Sequence, residues 1–144
     1  MKTLRIVSLV VLFSVSIPFA LQAGDFDGSK TLLCSVISVT EYTPEDGSQF
    51  VLAESIALPR FLKVDFEKKK VIPAMDREVA RYSDIKRVER LGGKVILQGA
   101  DEGMQDVRDA VGWTATISEE TGRFMLAASG EEVAFVVFGA CMPY

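Results

Sequence analysis

Short segments in which apolar and polar residues alternate run through most of the chain. In the segment FLKVDF at residues 61–66, Leu62 and Val64 would lie on one face of a strand, and Lys63 on the other. Alternation with a period of two predicts half-buried β-strands. Segments of this kind predict strands over residues 31–43, 50–58, 61–66, 71–72, 84–90, 94–100, 113–118, 123–128 and 132–141.

Turn-forming sequences separate the predicted strands. The clearest are PEDG at residues 44–47, LGG at 91–93 and EETG at 119–122, in which glycine supplies the positive φ that tight turns need. Residues 73–83 lack a clear period and are predicted as a loop. No segment is long enough for the helix that would connect parallel strands. The sequence therefore predicts an all-β fold, an antiparallel meander of about eight strands that closes into a small barrel, with a β-sandwich as the alternative.

The first 23 residues have the order of a secretory signal peptide. Lys2 and Arg5 precede an apolar run over residues 6–19, which ends in ALQA at residues 20–23. A spanning helix needs about 20 apolar residues, and this run is shorter. We therefore expect cleavage after Ala23 and a mature single domain over residues 24–144. The mature chain is expected in the periplasm or secreted, without stable insertion in a membrane.

The chain has two cysteines, and they fall in the first and last predicted strands. Cys34 and Cys141 would meet an oxidising compartment if the chain is exported, where a disulfide forms and persists. In a closed meander the first and last strands are neighbours, so a bridge between them would lock the barrel. The alternative is a redox-active pair, which the absence of a Cys-x-x-Cys arrangement disfavours.

Missing residue types restrict the chemistry more than the residues that are present. The sequence contains no histidine, which excludes Ser-His-Asp and Cys-His catalytic groups and zinc sites that use imidazole. Two cysteines cannot build a four-sulfur metal site. No segment has the spacing of a phosphate-binding or cofactor-binding motif. We therefore expect neither a cofactor nor a metal, and no catalytic residue can be assigned.

Charge is distributed unevenly along the expected mature chain. Loss of residues 1–23 removes two of the 16 basic residues and none of the 20 acidic ones, so the net charge changes from −4 to −6. Residues 24–59 carry a net charge of −5, residues 60–94 one of +5, and residues 101–144 one of −6. An acidic exported domain does not suit nucleic-acid binding, which favours a basic domain. The basic middle segment could bind an anion, or it could serve only solubility.

Three segments of the mature chain resemble small exported bacterial proteins of uncharacterised function. They are DFDGSK at residues 25–30, LLC at 32–34 and FVVFGAC at 135–141. The resemblance implies an exported bacterial product. It carries no activity, cofactor or catalytic residue that could be transferred to this chain.

The sequence leaves three functional hypotheses open. The first is a non-catalytic barrel that binds a small apolar molecule inside or an envelope protein on its rim, because an eight-stranded barrel is just wide enough for one small ligand. Its interior would be lined by Trp113, Phe124, Phe135 and Phe138. The second is an inhibitor of a secreted hydrolase, for which the acidic charge would favour a basic target such as lysozyme. The third is an enzyme that relies on carboxylates alone.

Overall fold

The computed structural model describes residues 24–74, 82–102 and 110–144, and these contain nine strands and one short 3-10 helix over Ala53–Ile56. The strands are β1 (Leu32–Thr43), β2 (Gly47–Val51), β3 (Phe61–Asp65), β4 (Lys70–Pro73), β5 (Ser83–Leu91), β6 (Lys94–Asp101), β7 (Val111–Ser118), β8 (Arg123–Ser129) and β9 (Ala134–Pro143). The predicted signal peptide and most of the predicted loop over residues 73–83 lie outside the described residues.

Eight of the strands form a closed antiparallel barrel. Strands β3 to β9 pair in sequence order, and β1 pairs with both β3 and β9, which closes the sheet. The ninth strand, β2, folds back on the end of β1 as a hairpin. Strand β1 therefore pairs with β9 along one edge and shares its other edge between β3 and β2. The predicted all-β meander and its closure into a barrel are confirmed.

A disulfide joins the two strands that close the barrel. Cys34 on β1 lies directly opposite Cys141 on β9, with 3.9 Å between their Cα atoms and an S–S bond of 2.05 Å. The two residues are 107 positions apart in the chain. The predicted link between the first and last strands is confirmed.

Alternation along the strands places one set of side chains inside the barrel. On β1, Cys34 and Val39 both point inwards although they are five residues apart, because the register of β1 against β9 shifts between Val36 and Ser38. Ile37 is the extra residue of this bulge. The buried side chains form one continuous core, with Leu32, Val95, Leu97, Ile117 and Val137 almost fully buried.

Two large rings inside the barrel lie on glycines of the neighbouring strand. A Cβ atom on Gly99 would be 2.2 Å from the Trp113 ring, and one on Gly139 would be 2.2 Å from the Phe124 ring. Each glycine is the direct cross-strand partner of the aromatic residue. The missing side chains therefore make the space that these rings fill. The indole Nε1 of Trp113 donates a hydrogen bond to Ser83 Oγ at 2.8 Å, so its polar atom is satisfied.

The prediction of one strand over residues 50–58 is wrong. Strand β2 ends at Val51, and the 3-10 helix over Ala53–Ile56 follows. Strands β2 and β3 pair with the same edge of β1, where Val51 lies opposite Val39 and Phe61 opposite Ser35. The nine residues between Val51 and Phe61 span only three residues of β1, so they cannot stay extended. Ala57 adopts the left-handed conformation with φ of 55°, and Leu58 N donates a hydrogen bond to Ala53 O at 2.9 Å, which completes this turn.

We predict that Cys34→Ala/Cys141→Ala lowers the free energy of unfolding by about 4 to 5 kcal/mol, because the bridge restricts a loop of roughly a hundred residues in the unfolded chain. Urea unfolding of the oxidised protein and the variant measures the difference. Reductant should bring the native sequence close to the variant. Equal midpoints for all three samples would contradict a stabilising role for the bridge.

We also predict that Gly139→Ala lowers the free energy of unfolding by about 1 to 3 kcal/mol, because the new methyl group would overlap the Phe124 ring and the Ser35 carbonyl oxygen. The matched control is Gly112→Ala on β7, where an added Cβ meets nothing within 4 Å. Thermal unfolding should leave the control at or above the stability of the native sequence. A similar loss in both variants would show that backbone effects dominate.

Candidate functional site

The structure places the four aromatic residues predicted to line the interior on different faces. Trp113 and Phe124 are buried inside the barrel, and Phe135 is partly buried against the same core. Phe138 is 49% exposed and lies on the outer face, so its assignment to the interior is wrong. The physical reason is the strand period, because residues three apart on a regular strand point to opposite faces.

The inward-facing aromatic side chains pack against the protein itself. The Trp113 and Phe124 rings fill the space above Gly99 and Gly139, as described above. Phe135 packs against the core cluster. Trp113, Phe124 and Phe135 are therefore parts of the packed core.

A cleft of about 140 Å³ lies where β2 ends, and we call it the edge cleft. Its lining comes from β1, from the end of β2, from the 3-10 helix and from the residue before β3: Val36, Ile37, Ser38, Val39, Val51, Leu52, Ala53, Glu54 and Arg60. A cavity of about 150 Å³ holds a molecule as large as benzene. The edge cleft therefore has room for about one apolar side chain.

The bulge and the 3-10 helix build the apolar walls of the edge cleft. Because Ile37 is the extra residue of the bulge, its side chain turns out of the sheet and is 72% exposed. Leu52, on the opposite wall, is 69% exposed, whereas the adjacent Ala53 is buried. Ser55 Oγ donates a hydrogen bond to Leu52 O at 2.7 Å, which fixes the backbone beside that wall. Sequence reasoning missed this site because no turn residue marks the bulge.

An ion pair lies on the rim of the edge cleft. Arg60 Nε donates a hydrogen bond to Glu54 Oε1, and both side chains are exposed. This hydrogen bond lowers the pKa of the Glu54 carboxyl below its ordinary value. The backbone of Arg60 is also fixed, because its carbonyl oxygen accepts a hydrogen bond from Val36 N at 2.8 Å. The edge cleft thus has a mixed lining, in which apolar side chains lie beside Ser38, Glu54 and Arg60.

Further apolar side chains continue from the edge cleft over the outer face of the sheet. Phe50 on β2 is 85% exposed and lies opposite Thr40, which in turn lies opposite Val136 on β9. Phe138 lies opposite both Ser38 and Met125 and is exposed with Met125. These rows form a sheet face with several large apolar side chains in water. Contiguous surfaces of this kind mark interaction sites.

The described residues contain no cluster of metal-binding side chains and no free cysteine. Within residues 24–74, 82–102 and 110–144, no group of three or more His, Cys, Asp and Glu residues could hold a metal ion. The disulfide uses both cysteines. Over the same ranges, no helix is long and apolar enough to span a membrane.

Comparisons with known proteins add no functional assignment. The chain matches no protein-family model, no curated protein and no solved structure. Its own residues and their arrangement are therefore the only basis for a proposed function.

We predict that Arg60→Gln raises the pKa of the Glu54 carboxyl towards its ordinary value, because the substitution removes the guanidinium that stabilises the carboxylate. A depressed folded-state pKa stabilises the fold above the ordinary carboxyl pKa. That stabilisation is lost as the pH falls through the depressed value. A carboxyl-detected NMR titration of both proteins measures the change. An unchanged Glu54 titration would show that the ion pair does not form in solution.

Proposed function

We propose that this protein is an exported, non-catalytic binding protein that recognises an extended segment of another envelope or secreted protein. The segment would add to the edge of β2 and insert one apolar side chain into the edge cleft. The observation that carries the proposal is the position of β2. Among the described residues, β2 pairs only with β1, and it ends beside a cleft that Ile37 and Leu52 line with exposed apolar side chains.

The edge of β2 has the properties of a surface for strand addition. An edge strand presents N–H and C=O groups that another extended chain can pair with. Natural proteins usually protect such edges with lysine or proline, and β2, with the sequence GSQFV, contains neither. In recognition by strand addition, main-chain hydrogen bonds supply affinity and side-chain pockets supply specificity. The edge cleft would be the pocket in this scheme.

Packing favours the outer surface over the interior as the binding site. Trp113 and Phe124, which were predicted to line a ligand cavity, already contact the glycines of the neighbouring strands. A small apolar ligand that used the space beside Gly99 or Gly139 would have to displace these rings. Ile37 and Phe50 are exposed on the outside and need no rearrangement before they contact a partner.

Charge favours a basic partner segment. The β1–β2 hairpin carries Glu41 near its tip and Glu45 and Asp46 in its turn, and the expected mature chain has a net charge of −6. Complementary charge mainly accelerates encounter. Export is supported by the sequence pattern of residues 1–23 and by the disulfide, which is compatible with an oxidising compartment.

Photo-crosslinking in the cells that export the protein tests the proposal. A photoreactive residue at Phe50 should capture one protein, whereas the same residue at Leu91, on the distant β5–β6 hairpin, should not. The captured protein is then purified for affinity measurements. Leu52→Ser should weaken its binding at least tenfold, which corresponds to about 1.4 kcal/mol, because the cleft loses an apolar wall. The matched control is Leu91→Ser, since Leu91 is 71% exposed and Leu52 69%.

Two results would contradict the proposed function. One is equal loss of affinity in Leu52→Ser and Leu91→Ser. The other is a native mass spectrum of the gently purified protein that shows a bound molecule of a few hundred daltons retained by Leu52→Ser, which would favour a ligand inside the barrel. Far-ultraviolet circular dichroism of each variant checks that the fold is intact.

A further inference from the structure

A second exposed surface, separate from the edge cleft, combines aromatic and basic side chains. We call it the lysine–tyrosine face, and it lies on the outside of β9, β1, β3 and β4. Tyr144 is 71% exposed and Tyr82 51%, and Met142 is also exposed. So many large side chains in water on one face indicate an interaction surface.

Strand register makes this surface continuous. Met142 on β9 lies opposite Leu33 on β1, Leu33 lies opposite Lys63 on β3, and Lys63 lies opposite Ile72 on β4. All of these side chains point away from the core, because Leu62 and Val64 occupy the inward positions of β3. The row therefore crosses four strands on the outer face.

Two lysines are held within this aromatic surface. Lys63 Nζ lies 4.1 Å from the centre of the Tyr144 ring, and Lys70 Nζ lies 3.5 Å from the centre of the Tyr82 ring. Cation–π contacts at these distances hold each ammonium group beside an aromatic ring. The adjoining β3–β4 turn adds more positive charge.

Asp65 and Asp84, the cross-strand neighbours of Lys70, each have another lysine as a partner. Asp65 is buried, accepts a hydrogen bond from Lys68 N at 2.9 Å and lies 3.6 Å from Lys68 Nζ. Asp84 lies 3.2 Å from Lys86 Nζ. Glu67 is exposed in the turn. In the acidic N-terminal segment, Asp25 pairs with Lys30, and Asp27 accepts a hydrogen bond from Ser29 N.

We infer that the lysine–tyrosine face binds the surface of an anionic phospholipid bilayer, without crossing it. Lysines near a membrane are attracted by anionic headgroups. Tyrosine rings favour the boundary between headgroups and acyl chains, since they have an apolar body and a polar tip. Lysine is depleted at protein–protein interfaces, so its central place here favours lipid over a protein partner. This face would leave the edge cleft free to bind its partner.

Vesicle co-sedimentation tests this inference with the protein purified from cells that export it. The protein should sediment with phosphatidylcholine vesicles that contain phosphatidylglycerol, and at least fivefold less with phosphatidylcholine alone. Lys63→Gln/Lys70→Gln should lower binding to the anionic vesicles at least fivefold. Its matched control is Arg87→Gln/Lys94→Gln, which removes the same charge from the β5–β6 hairpin and should retain binding.

A second pair of variants tests the aromatic contribution. Tyr144→Ser should lower vesicle binding, whereas Leu91→Ser should not, although both residues are 71% exposed. Leu52→Ser should bind vesicles normally, which separates this inference from the proposed function. Equal binding to neutral vesicles, no binding to anionic vesicles, or equal losses in the matched controls would overturn the inference. Binding to a soluble polyanion such as heparin without binding to vesicles would overturn it as well.

Discussion

The geometry of the molecule depends on the pairing of β1 with β9. Strand β1 has twelve residues and pairs with β9 along most of its length, whereas β3 has five residues and covers only the start of the opposite edge. The rest of that edge must be paired by another segment, and the chain uses β2 for this purpose. Strand β3 pairs with residues 32–35 of β1 and β2 pairs with residues 39–43, so a gap remains between β2 and β3. The edge cleft is therefore a consequence of closing a barrel with strands of unequal length.

Sequence alternation predicted most strands because the core needs one apolar face on each of them. It predicted β3 over 61–66 against the observed Phe61–Asp65, and the paired cysteines followed from the order of the strands. The bulge at Ile37 was not predicted, because an inserted residue changes hydrogen bonding without a sequence marker. Phe138 was misplaced for a related reason, since β9 is apolar on both faces and its composition does not reveal its orientation. The candidate site depends on the bulge and was therefore missed.

The proposed binding surfaces lie outside the barrel, whereas the core that stabilises the fold lies inside it. Inside, Trp113 and Phe124 lie on glycines and pack the core. Outside, the two proposed surfaces differ in chemistry. Beside the edge cleft, β2 has an edge that no other described strand pairs with, and the lysine–tyrosine face has lysines beside tyrosine rings. Both surfaces include β1: the lysine–tyrosine face uses Leu33 near its start, and the edge cleft uses residues 36–39 in its middle. The proposed partner segment and the proposed lipid surface could therefore both contact β1 at the same time.

The position of the disulfide also determines how the molecule would respond to force. A pull applied to the two ends of the chain reaches Cys34 from one side and Cys141 from the other, and the covalent bridge carries the load between them. The strands enclosed by the bridge bear no tension while it is intact. A force applied between the two ends would therefore extend only the segments outside the bridge. Mechanical resistance of this kind comes from connectivity alone and is independent of how tightly the core is packed.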